Sequence, residues 1–238
     1  MIGSRILTFN ELDSTNNYVA KALRSAQYES GTVILAHFQT EGRGQRGSEW
    51  QSEAGKNLTF SFALPLEGFD PRAYYLISMA IALGLNEGIS KFVSAKTLIK
   101  WPNDILVEKR KVAGMLIETS SNHAICGIGL NVNQIKFSYK AATSLGVESG
   151  RDFDRMEVLK IILREINREW EVLSQGDFRT MQQRFALNLF GINQAINLIS
   201  DDKSFTGIIR GVGADGKLIV NINGREKRYL PKEVTIDY

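Results

Sequence analysis

The sequence predicts an α+β fold: a mixed, largely antiparallel sheet flanked by helices, followed by a small C-terminal β-barrel. Three observations carry this. Strand-like segments before Gly191 follow one another too closely for a crossover helix between each pair, which a parallel sheet would need. Between them lie segments with apolar residues at helical spacing. After about Gly191 the pattern changes to short strands separated by Gly213-Ala214-Asp215-Gly216 and Asn223-Gly224, the latter a strong two-residue hairpin signal. The chain thus divides into residues 1–190 and 191–238, and with no long polar linker the two parts are expected to pack together.

Taken in order, Ser14 and Thr15 are good helix caps before Asn16 to Gln27, where Val19, Ala22, Leu23 and Ala26 share one face. Thr32 to Phe38 is rich in β-formers and reads as a buried strand. A glycine- and arginine-rich loop follows. Asn57 to Leu64 alternates Leu58, Phe60, Phe62 and Leu64 against Thr59, Ser61 and Ala63, the period of a strand. Asp70-Pro71 starts a mostly buried helix running to about Ser90, with Gly88 helping to end it. Three β-like segments come next, Lys96 to Trp101, Lys111 to Thr119 and His123 to Val132, the first two joined through a turn at Trp101-Pro102-Asn103-Asp104. Asp154 with Glu157 forms a capping box, and Leu159, Ile162, Leu163, Ile166, Trp170 and Leu173 recur at helical spacing up to Gly176.

Composition narrows the chemistry. The 238 residues carry 29 basic and 26 acidic side chains, a net +3, too balanced to mark the whole surface for nucleic acid or membrane. Any anion site must be local. One cysteine, Cys126, excludes an internal disulfide, and two histidines leave little for a metal centre. With neither a signal-peptide pattern nor an apolar run of membrane-spanning length, a cytoplasmic location is expected.

Four segments could carry function. Gly42-Arg43-Gly44-Gln45-Arg46-Gly47 has dinucleotide-loop spacing, but Ser48 to Lys56 leaves no room for the crossover helix such a site requires. The glycines instead let backbone N–H groups approach an anion, with Arg43 and Arg46 as charged forks. A solvated surface loop is the plain alternative. Lys100-Trp101-Pro102-Asn103-Asp104 is either a capped turn with Trp101 in the core or a cluster of ligand-binding groups. Lys111 opens the otherwise apolar run Val112 to Ile117, its ammonium either solvated or turned into a pocket. In Gly127-Ile128-Gly129-Leu130-Asn131 the glycines mark either a β-bulge or a close approach by a ligand, and Asn131 offers both donor and acceptor.

In this order and spacing, together with Asp13-Ser14-Thr15-Asn16 and Trp50, the segments resemble the biotin protein ligases, also called biotin–[acetyl-CoA-carboxylase] ligases, over nearly the whole chain. The resemblance implies a class II synthetase-like catalytic domain and an SH3-like C-terminal domain. It implies ATP and biotin as substrates, Mg2+, and a biotin carboxyl carrier protein or domain as partner, with a homodimer as a further possibility and neither nucleic acid nor membrane. Biotin-binding residues would be Ser14, Thr15, Asn16, Gln39, Arg43, Gly44, Gln45 and Lys111. Adenylate contacts would come from Arg43, Arg46, Trp50, Asn103, Asp104 and Asn131, with Asp104 near the metal. Lys111, assisted by Arg43, would be catalytic.

Two departures stand out. Many relatives have arginine where this chain has Gln45, so a looser hold on the adenylate is expected. Some relatives begin with a DNA-binding winged-helix domain, whereas Asp13-Ser14-Thr15 stands almost at Met1, so no repressor activity is expected. The rivals are a lipoate ligase, with the same adenylation logic, and a nucleic-acid module tracking phosphates with Lys109-Arg110-Lys111 and Arg225 to Arg228.

Overall fold

Among the described residues seven strands make one sheet and five make another. The computed structural model describes residues 1–25, 28–68, 70 and 74–237, with every side chain among them but that of Arg46. In chain order these form β1 (Ile6–Leu12), α1 (Thr15–Arg24), β2 (Val33–Gln39), β3 (Leu58–Pro65), α2 (Tyr74–Ser90), β4 (Thr97–Lys100), β5 (Asp104–Val107), β6 (Arg110–Ser120) and β7 (His123–Leu130). There follow α3 (Leu145–Ser149), α4 (Arg155–Ser174), α5 (Phe178–Leu187), β8 (Ala195–Ser200), β9 (Lys203–Val212), β10 (Leu218–Ile222), β11 (Arg225–Tyr229) and β12 (Thr235–Ile236).

The large sheet has the order β1-β2-β3-β7-β6-β5-β4, and only β1 and β2 run parallel. It is the mixed, largely antiparallel sheet expected. Its interior strand β3 is covered on both faces. From β3, Leu58, Phe60, Phe62 and Leu64 enter the main core with α2 and α4, while Ala63 joins Val19, Ile34 and Ile125 beneath α1. The expected alternation is therefore between two buried faces. Ser61, at 0% exposure, is a polar residue on the α1 face.

At α4 the aspartate half of the capping box forms, Asp154 accepting from the N–H groups of Met156 and Glu157. Gly88 does something other than expected. It lies inside α2, with Gly84 one turn earlier, and both face α4: a Cβ on Gly84 would stand 2.5 Å from Ile166 Cα, and one on Gly88 2.6 Å from Ile162 Cδ1. These glycines let α2 and α4 approach closely. The start read at Asp70-Pro71 falls partly outside the described residues, since Pro71 is not among them.

Several elements carried too weak a pattern to be read: β1, β5, α3 and α5. The turn at Trp101 joins β4 to β5, a four-residue strand, and only then does the chain reach β6. Trp101 is 2% exposed and its indole N–H donates to the Gly216 carbonyl at 2.9 Å, so the turn is fastened to the small sheet. That sheet has the order β11-β10-β9-β8-β12, all antiparallel. Its β10–β11 hairpin turns at Asn223 (φ 51°) and Gly224 (φ 81°), the left-handed pair that a two-residue turn of this kind requires. Among the described residues no helix is long and apolar enough to cross a membrane.

Candidate active site

A cleft of about 220 Å3 opens on the α1 side of the large sheet, walled by α1, the loop after β2, β6 and β7, and closed by Val234 to Ile236 of the small sheet. At one end the helix start sets the geometry. Ser14 occupies the cap position in extended conformation, but its side chain does not cap, contrary to the sequence reading. The first N–H groups of a helix lack intrahelical partners. Here Gln39, at the end of β2, supplies the acceptor: its Oε1 receives the Thr15 N–H at 2.8 Å and the Thr15 hydroxyl at 3.0 Å. Ser61 Oγ stands 2.6 Å from Thr15 Oγ1 and 2.7 Å from Asn16 Oδ1, and Asn16 Nδ2 donates to Glu118 Oε2 at 2.7 Å. Ser14, Thr15 and Asn16 are all buried. Asp13, just outside, accepts the Ser14 N–H, which holds its carboxyl below the ordinary aspartate range.

The glycine-arginine loop folds back on itself. The Trp50 N–H donates to the Gly42 carbonyl at 2.9 Å and the Gly44 N–H to the Ser48 carbonyl at 2.6 Å, around a single helical turn at Gln45–Gly47. A Cβ on Gly42 would stand 2.5 Å from Trp50 O, so the closure needs glycine there. The Gly44 amide expected to face an anion is thus spent inside the loop. Arg43 Nη2 donates to Asn17 Oδ1 at 2.8 Å and Glu118 Oε2 at 3.1 Å, which ties the loop to α1 and β6. Gly44 and Gln45 line the cleft, whereas the Arg46 side chain lies outside the described residues.

The other end is charged. Lys111, at the start of β6, places Nζ 2.7 Å from Asp104 Oδ1 and 5.7 Å from the centre of the Trp50 ring. The Trp50 ring rests on paired glycines of β6 and β7, Gly114 and Gly129, and a Cβ on Gly129 would fall 2.2 Å from Trp50 Cε2. β7 pairs with both neighbours in unbroken register, so its glycines mark close approach by side chains and not a bulge. Asn103 lines the cleft while its Nδ2 holds the Met115 carbonyl at 2.7 Å. Asn131 lies in an adjoining depression shared with Trp50, Asp104 and Lys111, its amide donating to the Thr143 carbonyl at 2.9 Å.

The structure therefore brings Ser14, Thr15, Asn16, Gln39, Arg43, Gly44, Gln45, Trp50, Asn103, Asp104 and Lys111 to one cleft, with Asn131 next door. Sequence reasoning gave no role to Ser61, Glu118 or Val234 to Ile236. A serine inside an apolar strand was a usable signal for Ser61; the others depend on tertiary packing.

Comparison with known proteins agrees with this geometry. Residues 8–133 match the model of the biotin/lipoate A/B protein ligase family, and residues 191–231 that of the biotin protein ligase C terminal domain. The chain belongs to the biotin protein ligase family. It is 30% identical to the biotin–[acetyl-CoA-carboxylase] ligase of Paracoccus denitrificans over 87% of this chain and 90% of that one. With the bifunctional ligase/repressor BirA of Escherichia coli the identity is 28% over 98% of this chain and 74% of the relative. Among solved structures, the Aquifex aeolicus biotin protein ligase in complex with biotin and ATP superposes with a TM-score of 0.84 at 27% identity, covering 98% of this chain and 99% of that one. As in other members of the family, a mixed sheet flanked by helices is joined to a small antiparallel sheet.

Proposed function

We propose that this member activates biotin with ATP and transfers it to a lysine of a biotin carboxyl carrier domain. In the first step a biotin carboxylate oxygen bonds to the α-phosphorus and pyrophosphate leaves, giving biotinyl-5′-AMP. In the second the acceptor amine bonds to the acyl carbon and AMP leaves.

The observation that carries the reading is the make-up of the cleft: a neutral hydrogen-bonding end at Thr15 and Gln39, a charged end at Lys111 and Asp104, and the Gly42–Gly47 loop spanning both. The first end fits the ureido head, which needs both donors and acceptors. The second fits two anions forced together, where the Lys111 ammonium offsets their repulsion. Lys111 is then the chief catalytic residue and Arg43 its partner from the loop. Trp50, Arg46, Asn103, Asp104 and Asn131 serve the nucleotide side, while Ser14, Asn16, Gly44 and Gln45 wall the biotin side.

Among the described residues no cluster of three histidine, cysteine or carboxylate side chains could hold a metal. One carboxylate with phosphate oxygens is nevertheless the kind of ligand set Mg2+ accepts. Asp104 fits a magnesium ion that arrives with the triphosphate and neutralises its charge. A homodimer through β1, the sheet edge paired only with β2, is a second partnership, measurable by sedimentation.

The deciding experiment incubates the protein with ATP, Mg2+, biotin and a carrier domain and weighs the carrier. Added biotin mass is expected. Lipoyl mass in its place would make the chain a lipoate ligase, and no added mass with either acid would remove the ligase reading.

A further inference from the structure

The hydrogen bonds at the neutral end can be counted. Asn16 Nδ2 donates to Leu116 O at 3.3 Å and Glu118 Oε2 at 2.7 Å, neither of which can donate, so Oδ1 is the atom that faces Ser61. The Thr15 N–H points at Gln39 Oε1, which fixes that amide as well. Three oxygen–oxygen contacts remain: Thr15 Oγ1 to Gln39 Oε1 at 3.0 Å, Ser61 Oγ to Asn16 Oδ1 at 2.7 Å, and Ser61 Oγ to Thr15 Oγ1 at 2.6 Å. Amide oxygens have no hydrogen to give, so two hydroxyl hydrogens must serve three contacts. One contact always lacks its hydrogen. Ser61 is wholly buried, where an unfilled polar contact is costly.

We propose that Ser61 is a positioning residue that makes this end of the cleft demand an N–H donor from its ligand. Thr15 and Gln39 line the cleft and Ser61 stands behind them. When a ligand N–H replaces the Thr15 hydroxyl as donor to Gln39 Oε1, that hydroxyl turns to Ser61, Ser61 donates to Asn16, and the contact without a hydrogen moves from the wholly buried Ser61–Thr15 pair to Thr15 and Gln39, which line the cleft. A cyclic urea supplies that donor. A ring without N–H, such as a dithiolane, leaves the shortage in place. The proposal rests on the ligase reading and assigns the origin of its selectivity. The close packing behind the wiring is visible at Gly127, where a Cβ would stand 2.3 Å from Asn16 Oδ1.

The test compares adenylation of biotin with that of its two N-methyl derivatives, each lacking one ureido N–H, in the wild type, Ser61→Ala and Ser61→Cys. The wild type should reject at least one derivative by about ten-fold or more in kcat/KM, since sites built around a donor reject analogues lacking it. In Ser61→Ala the Thr15 hydroxyl serves the one hydroxyl contact that remains, and Asn16 Oδ1 lacks its Ser61 donor whether or not the ligand carries the N–H, so the rejection should shrink about five-fold. The biotin KM should rise by more than kcat falls. Ser61→Cys, with a weak S–H donor, should recover part of the discrimination, and it carries the test if the alanine variant does not fold. Discrimination in both variants within about two-fold of wild type, with biotin still adenylated, overturns this proposal alone. A wild type that adenylates lipoate and not biotin overturns biotin as the substrate, and this proposal with it.

Discussion

At the α1 end of the cleft, Thr15, Asn16 and Ser61 are almost wholly buried and joined by neutral hydrogen bonds, whereas at the β6 end Lys111 and Asp104 keep 27% and 17% of their side chains exposed and meet as charges. The first is rigid because each atom is claimed by a neighbour on another element: α1, β2, β3 and β6 all contribute. The second holds the Lys111–Asp104 ion pair and a ring resting on glycines. The contrast fits the two tasks proposed for the cleft. Recognising a neutral head group calls for fixed donors and acceptors, where burial strengthens each hydrogen bond. Stabilising charge that develops during reaction calls for a cation already held where that charge appears, as Asp104 and the Trp50 ring hold Lys111.

The predictions set the two ends against each other. Lys111→Ala should lower kcat/KM for adenylate formation by about 100-fold or more while biotin binding, measured calorimetrically without ATP, weakens by about ten-fold or less, the share of one carboxylate contact. A comparable loss in both would show that the ends are not separate. Gly127→Ala should act in the opposite sense, raising the biotin KM by about ten-fold through its push on Asn16 and sparing the ATP KM. Equal effects on both substrates would erase the distinction.

The loop between the ends is tested by Gln45→Arg. With the Gly44 amide spent inside the loop, the proposed site leaves retention of the adenylate to Arg43 and Lys111, so an added cation should slow adenylate dissociation by about five-fold. No slowing in a rapid-dilution trap would count against that account.

A smaller effect separates cleft electrostatics from those of the scaffold. Burial raises the pKa of the Glu165 carboxyl, but hydrogen bonds from Arg164 and Arg168 and the nearby Lys91 charge together hold it below the ordinary glutamate value. A depressed folded-state pKa adds stability above the unfolded-state value and loses it as pH falls through the folded one. Glu165→Gln should therefore melt lower than wild type at neutral pH, with the gap closing below about pH 4. Adenylation near neutral pH should not respond beyond the stability change.

The legible elements were those with a long period or a local chemical signal. α4 has five turns and an aspartate cap, β3 alternates over eight residues, and the Asn223-Gly224 hairpin turn is written in two residues. β5 and α3, with four and five residues, are too short to show a period. β1 is an edge strand with a mixed burial pattern. Gly88 was misread because a glycine that ends a helix and one that lets two helices touch look alike in sequence. The site shows the same division: Lys111, Asp104 and the loop stand out by residue type, while Ser61 and Glu118 look ordinary until α1 lies across the sheet.

By itself the sequence determined the class of fold, the order of the ligand-bearing segments and, through their resemblance, the family. Those depend on local pattern and residue type, which the chain carries without folding. Only the tertiary structure decided that Gln39 caps α1, that the Gly44 amide closes its own loop, that Trp50 lies on Gly114 and Gly129, and that two hydroxyls must serve three contacts. Each joins atoms from elements far apart in the chain, and a hydrogen bond, unlike a propensity, has no address until both partners are in place.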